Sequence, residues 1–158
     1  MQRIEFKQRF HAPIQQVFND MTDHAAFGRL LRVKIRRIKD GADPQYPNGL
    51  GSVRRISPPG LPVFEETVIR FDANRRMDYT ITKGSPIKNH RGTLQFRADG
   101  NGTQLEYTIR FEPKLGIPFL GKALEFLVGT PIQRAIKQLA RRYESGQQPS
   151  TTDIGDRT

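Results

Sequence analysis

The sequence predicts an α+β protein in which an antiparallel sheet is covered by one long C-terminal helix. Short segments of alternating polarity, separated by Gly, Pro and Asn, follow one another over residues 31–111, which is typical of consecutive antiparallel strands. Apolar side chains then recur every three or four positions over residues 117–143, the period of an amphipathic helix. The length of 158 residues suits one domain, since domains usually hold about 100–200 residues.

The chain begins with a predicted strand and two short helices. Polar and apolar side chains alternate over residues 3–10, so one face of this strand should be buried. Pro13 ends the strand and suits the first turn of a helix, and apolar residues at helical spacing follow over residues 14–21. Asp23 is the expected N-cap of a second helix that ends at Leu30.

The middle of the chain is expected to form the sheet. Its last two strands flank Asp99-Gly100-Asn101-Gly102, a strong hairpin signal because Gly and Asn tolerate positive φ. The predicted strands cover residues 53–56, 64–71, 77–82, 89–97 and 105–111.

The final helix is predicted over residues 117–143, with Pro131 inside it. Because proline lacks a backbone donor, we expect the helix to be kinked or split there, and Gly129 just before it favours this. Residues 145–158 are polar and rich in Ser, Thr and Gln, so they are predicted to be a disordered tail. The folded domain would therefore cover residues 1–144.

Basic residues outnumber acidic ones, with a net charge of +10 and a pI of about 10.4. Two interpretations stay open: a well-solvated basic surface, or a face that docks on RNA, the ribosome or an anionic membrane. No aromatic residue interrupts the densest run, which weakens a single-stranded nucleic-acid interpretation because bases would have no stacking platform. That run consists of Arg32, Lys34, Arg36, Arg37 and Lys39.

Several kinds of site are excluded or disfavoured. The chain has no cysteine, so disulfides and thiolate metal sites are excluded. Residues 49–54 contain only two glycines of a dinucleotide fingerprint and enter a strand. His11, His24 and His90 are not at ligand spacing. We therefore expect neither a metal nor a cofactor.

The N-terminus resembles no targeting segment. Residues 1–7 alternate in polarity and lack an apolar core, and no apolar run reaches about 18 residues, the length of a membrane-spanning helix. The expectation is a cytoplasmic protein without a transmembrane segment.

Several short stretches together form a recognisable pattern: Phe10-His11-Ala12-Pro13 with Val17-Phe18, Asp23, residues 49–54, residues 64–68, Tyr79, Gly102-Thr103 and Phe111-Glu112-Pro113. In their order and spacing they resemble the polyketide cyclase/dehydrase and lipid-transport group of the START-like, helix-grip superfamily (the SRPBCC type). The resemblance covers residues 2–144 and implies a curved sheet that grips the C-terminal helix around a cavity for a hydrophobic molecule. Members include binding proteins, transporters, cyclases and factors acting on quinones or ribosomes, so no single catalytic motif carries over.

Strand alternation predicts which side chains face such a cavity. Residues 64–71 are apolar on both faces, so the orientation of Glu66 stays open; a buried Glu66 would need Arg54 or Arg55 as a partner. The candidate ligand-binding residues are Arg54, Glu66, Tyr79, His90, Leu94, Phe96, Tyr107 and Ile109 on the sheet, with Leu120, Leu124, Leu127 and Val128 on the helix.

Three functions compete at this point. The first is binding of a hydrophobic or amphipathic small molecule such as a lipid, a quinone or a polyketide. The second is a cyclase or dehydratase in which His90 or Glu66 moves a proton while Tyr79, Tyr107 or Arg54 stabilises an enolate. In the third, the basic face docks on RNA, the ribosome or an anionic membrane. Inward polar residues serve a carrier as well as a catalyst, so the sequence does not separate the first two.

Overall fold

A computed structural model describes residues 1–146 and confirms the predicted α+β architecture. Seven antiparallel strands form one sheet in the order β1-β7-β6-β5-β4-β3-β2. Most of the predicted polar tail, residues 147–158, lies outside the described residues. The elements are β1 Gln2–Phe10, α1 Ile14–Thr22, α2 His24–Leu31, β2 Lys34–Lys39, β3 Val53–Ser57, β4 Phe64–Asp72, β5 Arg76–Lys83, β6 Ile87–Asp99, β7 Gly102–Pro113 and α3 Leu120–Glu144.

The residues at the ends of the two short helices explain where these helices begin and end. Pro13 precedes α1 in an extended conformation, and the Asp23 side chain accepts a hydrogen bond from the Ala26 N–H at 2.9 Å, which confirms the predicted cap of α2. Arg32 ends α2 in a left-handed conformation, with φ of 58°. It therefore terminates the helix instead of starting the basic strand, which begins at Lys34.

Two irregularities in strand pairing determine which residues face inward. The register between β4 and β5 shifts between Val68 and Arg70, so Glu66 and Val68 face the core before the shift and Phe71 faces it afterwards. This bulge explains why both faces of β4 carry apolar residues. A second shift on β6, at Asn89 with φ of 51°, brings both Ile87 and His90 to the concave side.

The helices cover different parts of the concave face. Phe18 of α1 packs edge-on against Phe71 and Phe96, with ring centroids 5.3 and 5.2 Å away. Phe10 of β1 packs against Tyr143 near the end of α3, at 5.8 Å. Helix α1 therefore fills one end of the concave face, whereas the beginning of α3 lies above the other end.

Helix α3 starts at Leu120, three residues later than predicted, because Phe119 adopts a left-handed conformation. The helix continues through Pro131, so of the two expected outcomes the split is wrong and the kink stays a prediction. Hydrogen bonds of the neighbouring turns keep the helix intact around the one donor that proline lacks. The buried side chains of α3 follow the proline: Ile132, Ala135, Ile136, Leu139 and Ala140.

Most of the basic run forms the edge strand β2. Lysine and arginine on an edge strand oppose pairing with another chain, which gives this charge a structural role. Within residues 1–146, no helix is long and apolar enough to cross a membrane.

Candidate ligand-binding cavity

An apolar cavity of about 450 Å³ lies between the concave face of the sheet, α2 and the beginning of α3. This volume falls within the range of small-molecule sites, about 300–1,000 Å³. Phe27 and Leu31 of α2 close one side, and prolines of the β3–β4 loop form part of the opening. The polar side chains of strand residues in the wall are Arg54, Glu66, Tyr79, His90 and Tyr107.

Arg54 and Glu66 form a buried ion pair in this wall. They are direct partners across β3 and β4, the Arg54 Nε atom lies 2.7 Å from Glu66 Oε2, and the two residues are 7% and 8% exposed. Burial, the largest single cause, would lower the pKa of Arg54, but the charge and hydrogen bond of Glu66 together with the neighbouring Tyr79 and Tyr107 raise it. Glu66 thus takes Arg54 as its partner, while Arg55 bonds Glu65 at 2.8 Å.

The two buried tyrosines bond each other through their hydroxyl groups. Burial is the main cause that raises the pKa of both Tyr79 and Tyr107, so both phenols are neutral. The Arg54 guanidinium carbon lies 4.5 Å from the centre of the Tyr79 ring, a cation–π contact. Only one hydroxyl hydrogen is used in the mutual bond, so the pair retains one donor.

His90 presents a hydrogen-bond donor to the cavity. The Ile81 N–H donates to His90 Nδ1 at 3.2 Å, so the proton of the neutral ring resides on Nε2. Burial lowers the pKa of His90, with Arg54 adding to the effect and Glu66 opposing it. The imidazole is therefore neutral near pH 7, and its lone pair is already engaged by the backbone.

The predicted site residues divide into two groups. Leu94 and Phe96 share the inward face of β6 but lie in the packed core, because α1 covers that end of the strand. Leu120 lies one turn before the part of α3 that faces the cavity. These three residues therefore lie outside the cavity wall, contrary to their expected position. The cavity is lined by Arg54, Glu66, Tyr79, His90, Tyr107, Ile109, Leu124, Leu127 and Val128, whose role in ligand binding stays a prediction.

Sequence reasoning missed two parts of the wall. The strand and helix patterns predict no wall residue in α2 or in the loop between β3 and β4, although Phe27, Leu31 and Leu61 line the cavity. The loop did carry a signal, since Leu61 and Val63 are apolar residues in a segment without regular structure. Apolar loop residues of this kind often mark a binding surface.

A profile of the family described as polyketide cyclase/dehydrase and lipid transport matches residues 1–144. The chain belongs to this family. The match covers every helix and strand described above, so membership applies to the whole fold around the cavity. The helix-grip arrangement inferred from the resemblance is confirmed.

Solved structures of low sequence identity share this fold. A START superfamily protein from Mycobacterium smegmatis has a TM-score of 0.73 at 15% identity, covering 92% of this chain and 99% of that one. The protein XoxI from Bacillus cereus has a TM-score of 0.71 at 15% identity, covering 94% and 99%. A protein from Thermobifida fusca has a TM-score of 0.69 at 24% identity, covering 92% and 95%. Among curated proteins, none matches this sequence.

Proposed function

We propose that this family member binds a neutral, predominantly apolar small molecule that carries one polar end. The observation that carries the proposal is the apolar cavity of about 450 Å³ with a few polar groups concentrated on one wall. Burial of apolar surface supplies affinity in such sites, and the polar groups orient the ligand.

The charge balance of the buried part of the wall favours a neutral ligand. Arg54 is the cation of that part, and its charge is balanced by Glu66 at 2.7 Å, whereas Arg32, which also lines the cavity, is exposed to solvent. A carboxylate ligand would have to compete with Glu66 for the guanidinium, and leaving a buried charge unpaired is costly. A carbonyl or hydroxyl oxygen, in contrast, can accept from His90 Nε2 or from the tyrosine pair, as a quinone, a ketone or a sterol-like alcohol would offer.

Native mass spectrometry of the purified protein tests this proposal, followed by extraction and identification of the bound species. We expect a near one-to-one complex with a neutral apolar molecule, and displacement of that molecule by the neutral fluorescent probe 1-aminoanthracene. A protein that neither retains such a molecule nor binds the probe would contradict the proposal.

A second candidate is proton transfer next to a carbonyl group, favoured by the unshared oxygen of Glu66. Arg54 bonds Oε2, and Oε1 has no hydrogen-bond partner among residues 1–146. Glu66 would take the α-proton, the C–H electrons would move to the carbonyl oxygen, and His90 Nε2–H with a tyrosine hydroxyl would stabilise the enolate. Because its Nδ1 lone pair is engaged by Ile81, His90 suits the donor role better than that of the base.

Deuterium exchange distinguishes this enzyme from a carrier. The probe is 2-tetralone, whose acidic α-protons exchange with solvent deuterium and can be followed by NMR. If Glu66 is the base, the wild-type protein accelerates exchange, Glu66→Gln abolishes the acceleration and His90→Gln reduces it. If exchange proceeds at the rate in buffer alone, or at equal rates with wild type and Glu66→Gln, the protein does not catalyse proton transfer and only the ligand-binding function is supported.

A further inference from the structure

Large apolar side chains are exposed around the mouth of the cavity. Phe119 and Phe126 are 86% and 74% exposed, although aromatic residues of this size are normally buried. Phe119 immediately precedes α3, and Phe126 lies in the second turn of that helix. We define the apolar rim as Leu61, Val63, Leu115, Ile117, Phe119 and Phe126, all of them more than one-third exposed.

Backbone contacts join the segments that carry most of the rim. The Val63 carbonyl lies directly against Gly84, where a Cβ atom would come within 2.6 Å of it. The next residues of that turn reach the segment before α3, because the Lys114 N–H donates to the Pro86 carbonyl at 2.9 Å. Pro86 itself lines the cavity. The β3–β4 loop, the β5–β6 turn and the chain before α3 therefore meet at the opening.

Cationic side chains flank this surface. They belong to the same turns and to α3, and Arg32 lies at the cavity opening itself. Two acidic side chains offset part of the charge, with Glu112 4.0 Å from Lys88 and Glu125 3.0 Å from Lys122. The net charge of the side chains around the opening remains positive. The flanking cations are Arg32, Lys83, Lys88, Lys114 and Lys122.

We propose that the apolar rim docks the mouth of the cavity on an anionic lipid bilayer. Exposed aromatic and aliphatic side chains beside basic residues are typical of surfaces that insert into the membrane interface. Four of the six rim residues are aliphatic and offer no stacking face, which favours acyl chains over the bases of RNA. The inference rests on the proposed function, because an inserted rim would let an apolar ligand pass from bilayer to cavity without crossing water.

Vesicle flotation tests this docking on the full-length protein without added ligand. The probes are vesicles of pure phosphatidylcholine and vesicles of equal parts phosphatidylcholine and phosphatidylglycerol. We expect binding to the mixed vesicles to exceed binding to neutral ones by about tenfold or more, since each basic side chain near an anionic surface contributes severalfold. The double variant Phe119→Ser with Phe126→Ser should reduce this binding by about tenfold or more.

A matched control removes apolar surface elsewhere. Leu50→Ser with Ile69→Ser alters residues that are 50% and 42% exposed and belong to the β2–β3 loop and to β4. This variant should bind vesicles like the wild type. Equal binding by wild type and the phenylalanine double variant would overturn the inference, as would absent binding to anionic vesicles. The inference would also be overturned if analytical ultracentrifugation showed a stable dimer that buries the rim. Preferential binding to RNA that is unaffected by the two phenylalanine substitutions would overturn it as well.

Binding of 1-aminoanthracene separates a failure of docking from a failure of the proposed cavity function. The phenylalanine double variant keeps its affinity for the probe if only docking is lost, because neither Phe119 nor Phe126 lines the cavity. A cavity-filling variant such as Ile81→Trp should lose the probe and still float with anionic vesicles. Vesicle binding without probe binding would refute the cavity function while leaving docking intact.

Discussion

The ring of Tyr79 lies directly over Gly92, its cross-strand partner on β6. A Cβ atom at position 92 would fall 2.2 Å from Tyr79 Cζ and 2.5 Å from its hydroxyl oxygen. Glycine therefore creates the space in which the tyrosine extends across the sheet and reaches Tyr107. The polar wall of the cavity depends on a residue that contributes no side chain to it.

Replacing this glycine should displace the tyrosine. We expect Gly92→Ala to lower the free energy of unfolding by about 1–3 kcal/mol, the usual cost of overpacking a core, and to weaken binding of 1-aminoanthracene. Urea denaturation and fluorescence titration measure the two effects. Thr93→Ala, at the next position on the opposite face, serves as the control and should leave probe binding unchanged. A Gly92→Ala protein with wild-type stability and affinity would refute this relationship.

Filling the cavity should abolish binding while the fold survives. Ile81 lines the cavity, whereas Ile69 is 42% exposed on the other face of the adjacent strand. Ile81→Trp is expected to raise the Kd for 1-aminoanthracene by about tenfold or more, equivalent to about 1.4 kcal/mol or more. Ile69→Trp introduces the same bulk outside and should bind normally. Equal affinities would show that the probe binds elsewhere, and circular dichroism verifies that both variants fold.

Breaking the buried ion pair should be far more costly than breaking the exposed pair beside it. Arg54→Met leaves Glu66 buried without its partner, for which we expect a loss of about 3–5 kcal/mol. Arg55→Met removes the half-exposed partner of Glu65, where exposed pairs contribute about 1 kcal/mol or less. Denaturation of both variants gives the comparison. Adding Glu66→Leu to Arg54→Met should recover much of the stability, and similar losses from both single variants would contradict the assignment.

His24 should make the protein sensitive to mild acid. It is 2% exposed and neither ring nitrogen has a partner within residues 1–146. Burial, assisted by Arg54 and Arg37, lowers the pKa of His24 from 6.5 to about 2. Below pH 6.5 the unfolded chain therefore gains a proton that the folded protein does not, so stability falls as the pH falls.

His24→Leu should remove part of this dependence. Each buried neutral histidine lowers the free energy of unfolding by about 1.4 kcal/mol for every pH unit below the pKa of the histidine in the unfolded chain. Between pH 7 and pH 5 the free energy of unfolding of the variant should therefore fall by about 2 kcal/mol less than that of the wild type. His90, whose pKa is also lowered, maintains the remaining slope. Phe27→Leu, in the same helix, removes packing without a titratable group and should destabilise the protein equally at both pH values. Parallel pH profiles for wild type and His24→Leu would contradict the prediction.

The alternating period of β1, β5, β6 and β7 could be recognised in the sequence, but the extent of the cavity could not. Leu94 and Phe96 do share the inward face with His90, as alternation predicts. Whether that face borders the cavity or the core depends on α1, whose Phe18 packs against Phe96. Alternation reports which side of a strand a residue occupies and contains no information on the helix that covers it.

By itself the sequence determined the α+β class, the cap at Asp23, the approximate limits of α3 and the family resemblance, because helix and strand periods and capping residues act locally. Only the tertiary structure decided that Glu66 takes Arg54 as its partner, that the two tyrosines meet over Gly92, and that the mouth of the cavity is apolar. Each of these depends on register shifts and on contacts between residues far apart in the chain. Such contacts arise only when the strands pair and the helices pack on them.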